Sequence, residues 1–177
     1  MAANICGILL AAGASKRFGS DKLMHPLAGE LPMVLAALTN LRAAIPHVIA
    51  VVRPGATELE NLLSAAGATV ILCANADEGM GASLSTAVAA SGDVAGWVIA
   101  LADMPYIRPE TIVKVAASLA SGSAIAAPAY RGERGHPVGL SSQFRAQLEG
   151  LRGDKGARSV LRENAGLVQL IEVDDPG

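Results

Sequence analysis

The sequence predicts an α/β fold, a three-layer sandwich in which a mainly parallel sheet is covered by helices on both faces. Three observations carry that prediction. Short apolar runs rich in Val and Ile recur along the chain, segments of helical period alternate with them, and hydrophobic residues make up 51% of the 177 residues against 17% charged. Parallel strands buried on both faces read as near-continuous apolar runs, and strand–helix alternation is what builds such a sheet. A chain of this length and polarity forms one domain, 1–177, with a sizeable core.

The apolar runs fall at 5–12, 47–52, 69–73, 97–102, 124–127 and 167–173, and the helical segments at 33–44, 57–66, 82–90, 109–119 and 157–164. The first run is long enough for a signal-peptide core. No Lys or Arg precedes it, however, and basic residues follow it, so it reads as a buried first strand. Pro109 suits the first position of a helix, and Thr57 or Ser83 can supply cap oxygens. Cys6 and Cys73 each sit inside an apolar run and match no metal spacing, which makes them reduced core thiols.

Composition also excludes function classes. A net charge of -2 and 3% aromatic residues leave neither the basic footprint of a nucleic-acid binder nor a stacking platform for bases. No apolar stretch approaches the roughly 18 residues of a membrane helix. The expectation is a soluble, cytoplasmic protein with no nucleic-acid or membrane partner.

Open α/β sheets bind ligands outside the carboxyl ends of their strands. Functional residues are therefore expected just after the apolar runs. The segment from Leu10 to Lys22 follows the first run and contains Ala11, Ala12, Gly13, Arg17 and Gly19. Small residues let the backbone approach phosphates, and Arg17 and Lys22 supply a planar fork and a mobile point charge. The segment lacks the Gly-Lys-Ser/Thr ending of a Walker A loop, and its glycines stand too far apart for a dinucleotide fingerprint. An ordinary solvated loop remains the alternative.

Asp103 follows the run 97–102, where a carboxylate suits Mg2+, an ion held by one or two carboxylates and substrate phosphates. Its alternative role is a cap for the helix beginning near Pro109. Asp174 and Asp175 follow the last run and are candidates for a second metal ligand, or are simply solvated charges. Gly79, Gly81 and Ser83 open a helix and can face a base or ribose, or form a structural turn. His136 stands beside Pro137 in a rigid turn, and the segment from Asp154 to Arg158 leads into a helix, whose N-terminus favours anions. No Ser/His/Asp or Cys/His set with sensible roles stands out, which disfavours covalent hydrolase chemistry.

Together these segments resemble the nucleotidyltransferases of molybdenum-cofactor maturation, the molybdopterin nucleotidyltransferase family. The pattern Leu-Ala-Ala-Gly-x-Ser-x-Arg-x-Gly-x-x-Lys is complete at 10–22. Gly79-Met80-Gly81-Ala82-Ser83-Leu84, Leu101-Ala102-Asp103-Met104-Pro105, Gly135-His136-Pro137-Val138 and Gly153-Asp154-Lys155-Gly156-Ala157-Arg158 are similar to that family's segments, in the same order. The resemblance implies a Rossmann-like sheet of the nucleotide-diphospho-sugar transferase type. It implies triphosphate binding by Leu10, Ala11, Ala12, Gly13, Arg17 and Lys22, base and ribose contacts from Gly79, Gly81 and Ser83, and Mg2+ on Asp103 with Asp174. It places His136, Asp154 and Arg158 toward the pterin substrate.

The implied reaction transfers CMP from CTP to the terminal phosphate of molybdopterin or the molybdenum cofactor, with a molybdenum hydroxylase receiving the product. The guanylyl branch of the family reads Leu-Ala-Gly-Gly in the first loop, whereas this chain has Leu-Ala-Ala-Gly at 10–13, a difference that favours CTP over GTP. Transfer to another small phosphate, or a non-catalytic carrier of the cofactor, stays open on sequence alone.

Overall fold

Each of the apolar runs forms a strand in the computed structural model, which describes residues 4–13, 19–27 and 31–177. Among these residues the strands are β1 (Ile5–Leu10), β2 (Val48–Val52), β3 (Thr69–Leu72), β4 (Gly96–Leu101), β5 (Ile125–Tyr130), β6 (Glu133–Arg134), β7 (Val138–Ser141) and β8 (Val168–Glu172). The α-helices are α1 (Met33–Ala44), α2 (Thr57–Ala65), α3 (Met80–Ala90), α4 (Pro109–Ala120), α5 (Arg145–Glu149) and α6 (Ala157–Glu163).

The sheet runs β3-β2-β1-β4-β7-β5, with β6 and β8 also paired to β5. The first four strands are parallel to one another, and β8 is parallel to β5. Ile125 and Ala126 pair with β7 on one side and β8 on the other, so β8 lies three strands from β4. The sheet is mixed, because β7 enters antiparallel between β4 and β5. Neither β7 nor α5 is foreseen by the sequence pattern. Four residues centred on Gly139 and preceded by Pro137 read as a turn. Burial decides otherwise, since α4 lies so close over Gly139 that a Cβ there would stand 2.9 Å from both Leu119 Cδ1 and Val115 Cγ1.

Side-chain alternation sends the strands into two cores. Ile8 and Leu10 of β1 join Leu84 and Val88 of α3 and Leu161 of α6 on one face. Leu9 and Ala11 join Val34, Leu38 and Leu41 of α1 and Val115 of α4 on the other. The α1 positions recur at helical spacing, so one stripe is buried and the opposite face meets water. Removing one such side chain, as in Leu84→Ala, leaves a cavity costing about 2–5 kcal/mol. Cys6 and Cys73 are free and buried, and burial raises the Cys6 thiol to about 11, with a backbone hydrogen bond to Ile49 opposing, which keeps it protonated and inert. No described helix is long and apolar enough to cross a membrane.

Candidate functional site

The central strands end at one level, and that common edge builds the site. Leu10 pairs with Val51 on one side and with Leu101 on the other. The ladder continues beyond the strands, with Ala11 N–H donating to Val51 and Ala102 N–H to Leu10. Ala12, Arg53 and Asp103 therefore follow at matching positions along the carboxyl edge. Above them opens a cavity of about 660 Å³, also lined by Gly13, Lys22, Gly79, Ser83 and Asp154.

Lys22 sits in the 3-10 turn Gly19–Met24, and its Nζ stands 3.6 Å from Asp103 Oδ2. Both side chains are partly exposed, at 36% and 46%. An ion pair so wetted contributes at most about 1 kcal/mol. It can open at little cost, leaving the ammonium for a phosphate and the carboxylate for a cation.

On the α3 side, Gly79 has φ +118°, and the space where its Cβ would stand is filled by the Asp154 side chain and the Gly153 carbonyl. Gly81 N–H donates to Gly153 O at 2.8 Å. A Cβ on Gly81 would lie 2.5 Å from Lys155 O and 2.8 Å from Gly153 O. The two glycines thus let the start of α3 nest against residues 152–155, and Asp154 reaches the cavity wall through that contact.

Of the residues expected in the site, Leu10, Ala12, Gly13, Lys22, Gly79, Ser83, Asp103 and Asp154 line this one cavity. Arg17 lies outside the described residues. Ala11 belongs to the opposite core, because alternation along the strand turns it away from the edge that Leu10 and Ala12 share. Gly81 does not line this cavity, and its N–H donates to Gly153 O. Arg158 is exposed on α6 and lines neither this cavity nor the smaller one beside it.

Asp174 is not brought to Asp103. It is exposed, its carbonyl accepts a hydrogen bond from Arg108, and it follows a strand three spacings from β4, roughly 14 Å across the sheet. Its neighbour Asp175 is tied elsewhere, accepting from Arg108 N–H at 2.9 Å and from the Thr111 hydroxyl at 2.6 Å at the start of α4.

His136 lines the second, smaller cavity of about 200 Å³, with Met104, Tyr130 and Arg134. Burial lowers its pKa, Arg134 lowers it further, and Asp103 opposes both. The imidazole is therefore neutral near pH 7, within the electrostatic reach of Asp103. Arg53 and Asp77, which the sequence motifs do not single out as site residues, also line the main cavity and pair at 2.9 Å. A signal for Arg53 was present, since it directly follows the run 47–52 as Asp103 follows 97–102.

Residues 7–168 match the MobA-like NTP transferase domain. Among curated proteins, the purine catabolism protein PucB of Bacillus subtilis is 32% identical, over 98% of this chain and 88% of its own. Nicotine blue oxidoreductase of Paenarthrobacter nicotinovorans is 30% identical, over 97% of this chain and 88% of its own. Among solved structures, Rv0371c of Mycobacterium tuberculosis matches with a TM-score of 0.85 and 26% identity, over 98% of this chain and 89% of that one. The same protein's manganese complex matches at 0.79 and 25%, over 96% and 88% of the two chains. A chain that matches this domain over nearly its whole length, and gathers Lys22 and Asp103 into one cavity at the ends of its central strands, belongs to the MobA-like NTP transferase family and is a nucleotidyltransferase.

Proposed function

We propose that this nucleotidyltransferase transfers CMP from CTP to the terminal phosphate of molybdopterin or the molybdenum cofactor and releases pyrophosphate. The observation that carries the reading is the openable Lys22–Asp103 pair, 3.6 Å apart in a cavity of about 660 Å³ at the carboxyl ends of β1 and β4. An oxygen of the acceptor phosphate attacks the α-phosphorus of CTP, the bond to the bridging oxygen breaks, and pyrophosphate leaves with the electron pair. The nucleophile is already anionic near neutral pH, so no general base is needed. Alignment and charge neutralisation then supply the rate.

Lys22 holds the negative charge of the triphosphate once it parts from Asp103. Asp103 is a hard oxygen donor on the wall of this cavity and would hold Mg2+, an ion that binds through one or two carboxylates together with substrate phosphates. Bound there, the ion would supply charge neutralisation at the reacting phosphates. The manganese complex of Rv0371c accords with a divalent cation in this family. In this reading neutral His136, in the smaller cavity, and the Asp154 carboxylate, on the wall of the main one, face the acceptor. Arg17 joins Lys22 at the triphosphate in this reading, as the resemblance implies.

Ala12 supports CTP over GTP. The guanylyl branch reads Leu-Ala-Gly-Gly where this chain has Leu-Ala-Ala-Gly at 10–13. The product then passes to a molybdenum hydroxylase in the cytoplasm. The test is pyrophosphate release by the purified protein with Mg2+, molybdopterin and either CTP or GTP. Faster release with CTP is expected. Faster release with GTP overturns the choice of base, and nucleotide binding with no release from either overturns transfer in favour of a carrier.

A further inference from the structure

The two partners of the Lys22–Asp103 pair lie on separate stretches of chain, and α1 is joined to both. At its first residue, Met33 N–H donates to His25 O at 3.0 Å, and His25 N–H donates to Lys22 O at 3.1 Å. The turn that carries Lys22 therefore hangs on the start of α1. About two turns further along the helix, Asn40 donates from Nδ2 to the Pro105 carbonyl at 3.0 Å. Positions i and i+7 share one side of an α-helix and stand about 10 Å apart, so α1 reaches from one partner's turn to the other's.

The bond to Pro105 falls where Asp103 needs a hold. Ala102 N–H donates to Leu10 O and Met104 N–H to Leu101 O, which fixes the near side of the turn to the sheet. Beyond Met104 the chain leaves the sheet for α4. There Pro105 is buried and its carbonyl accepts from Asn40, while Pro109, four residues on, has no N–H with which to replace that donor. Asp103 is thus held between a bond to β1 and a bond to α1. Leu23, Met24 and Met104 also pack against the core that Val34, Leu38 and Leu41 of α1 build, which seats both turns on the same helix. Asn40 itself is half-buried and lines neither cavity, so it can reach the reaction only through the turn it holds.

We propose that Asn40 is a positioning residue for nucleotidyl transfer: by holding the Pro105 carbonyl, it sets Asp103 at its working distance from Lys22 and aims the carboxylate at the divalent cation. The proposal rests on the role given to Asp103 above and extends it to a side chain outside the cavity.

The test is nucleotide affinity measured with Mn2+ and again with the metal chelated, using CTP or GTP, whichever the wild type binds more tightly. The proteins are the full chain, Asn40→Ala, Asp103→Asn and the double variant. The quantity compared is the gain in affinity that Mn2+ confers. Alanine is the strongest helix former, so Asn40→Ala removes the amide without weakening α1. Residues that orient a metal ligand typically contribute about 10- to 100-fold to metal affinity, so Asn40→Ala should lose about tenfold or more of the gain. Affinity without metal should match the wild type. In the Asp103→Asn background the same substitution should remove nothing further, because the carboxylate it positions is gone.

An undiminished gain in Asn40→Ala overturns the proposal. So does an equal loss with and without Mn2+, which would mark a merely structural role, or a further loss in the double variant, which would mean that Asn40 acts elsewhere. A gain lost in Asp103→Asn but kept in Asn40→Ala sinks this proposal alone. No gain in the wild type, or a full gain in Asp103→Asn, removes the metal role of Asp103 and this proposal with it. Asn40→Leu, similar in shape but without a donor, gives the same reading if circular dichroism shows that Asn40→Ala fails to fold.

Discussion

At the scale of single residues, the Lys22–Asp103 pair concentrates the chemistry. Each side chain holds the other in the absence of substrate, and each is freed for a ligand of opposite charge at a cost of at most about 1 kcal/mol. Lys22→Ala and Asp103→Asn are each expected to lower the rate of pyrophosphate release by roughly 10²–10³, the usual loss when one well-placed charge contact to a transition state is removed. Thermal melting should place both variants close to the wild type, because the pair is too exposed to stabilise the fold appreciably. Near-normal turnover of Asp103→Asn with Mg2+ would remove Asp103 from the reaction. The rule that selected Asp103, a charged residue directly after a buried strand, equally selects Arg53. Arg53 belongs to no motif of the resemblance, so only its place after the run 47–52 marks it.

At the scale of elements, two joints hold the cavity walls. The first is the start of α3 against residues 152–155. Spacing alone suggested that Gly79 and Gly81 expose backbone to a ligand, and the partner that explains them lies some seventy residues away, beyond any local pattern. Gly81→Ala would force its Cβ against the carbonyls of Lys155 and Gly153. The expected loss is about 1–3 kcal/mol, as for other overpacked sites. Denaturant unfolding measures that loss, and nucleotide affinity should fall with it because Gly79, Ser83 and Asp154 share the wall.

The second joint is Asp175 at the start of α4. Burial raises its pKa, but hydrogen bonds from Thr111, Arg108 N–H and Gly177 N–H, together with the Arg108 charge, outweigh burial and bring it below the usual value of 3.8. A carboxylate with a depressed folded pKa stabilises the fold at pH values above its unfolded pKa, and the contribution fades as pH falls through the folded one. Asp175→Ala should therefore be less stable than the wild type by about 1–2 kcal/mol near pH 7. That gap should close below pH 3.8, and a gap that persists there would show that the carboxylate charge is not what holds the joint.

At the scale of the whole molecule, the two-sided sandwich was legible because β1, β2 and β4 are continuous apolar runs, and the alternation of helices between them dictates cover on both faces. Strand order was not legible. The carboxyl ends of β4 and β8 face the same edge, which is why Asp174 looked equivalent to Asp103, but β7 and β5 stand between them. That separation depends on β7, a strand too short and too glycine-centred to announce itself, and on the way α4 presses on it. Gly139 is the point of closest approach, and its substitution tests how the sheet is held together. In Gly139→Ala the added methyl group would meet Leu119 and Val115 at 2.9 Å, so α4 must lift from the sheet or the two side chains must leave their preferred rotamers. Overpacking of this kind costs about 1–3 kcal/mol. For a chain of this size each kcal/mol lowers the melting temperature by about 2–4 °C. Calorimetry should therefore record a fall of at least about 2 °C. Because α4 covers the face opposite α3, nucleotide affinity should hold while melting falls. A loss of affinity larger than the loss of stability would mean that the antiparallel insertion also sets the geometry of the cavity at the end of β4.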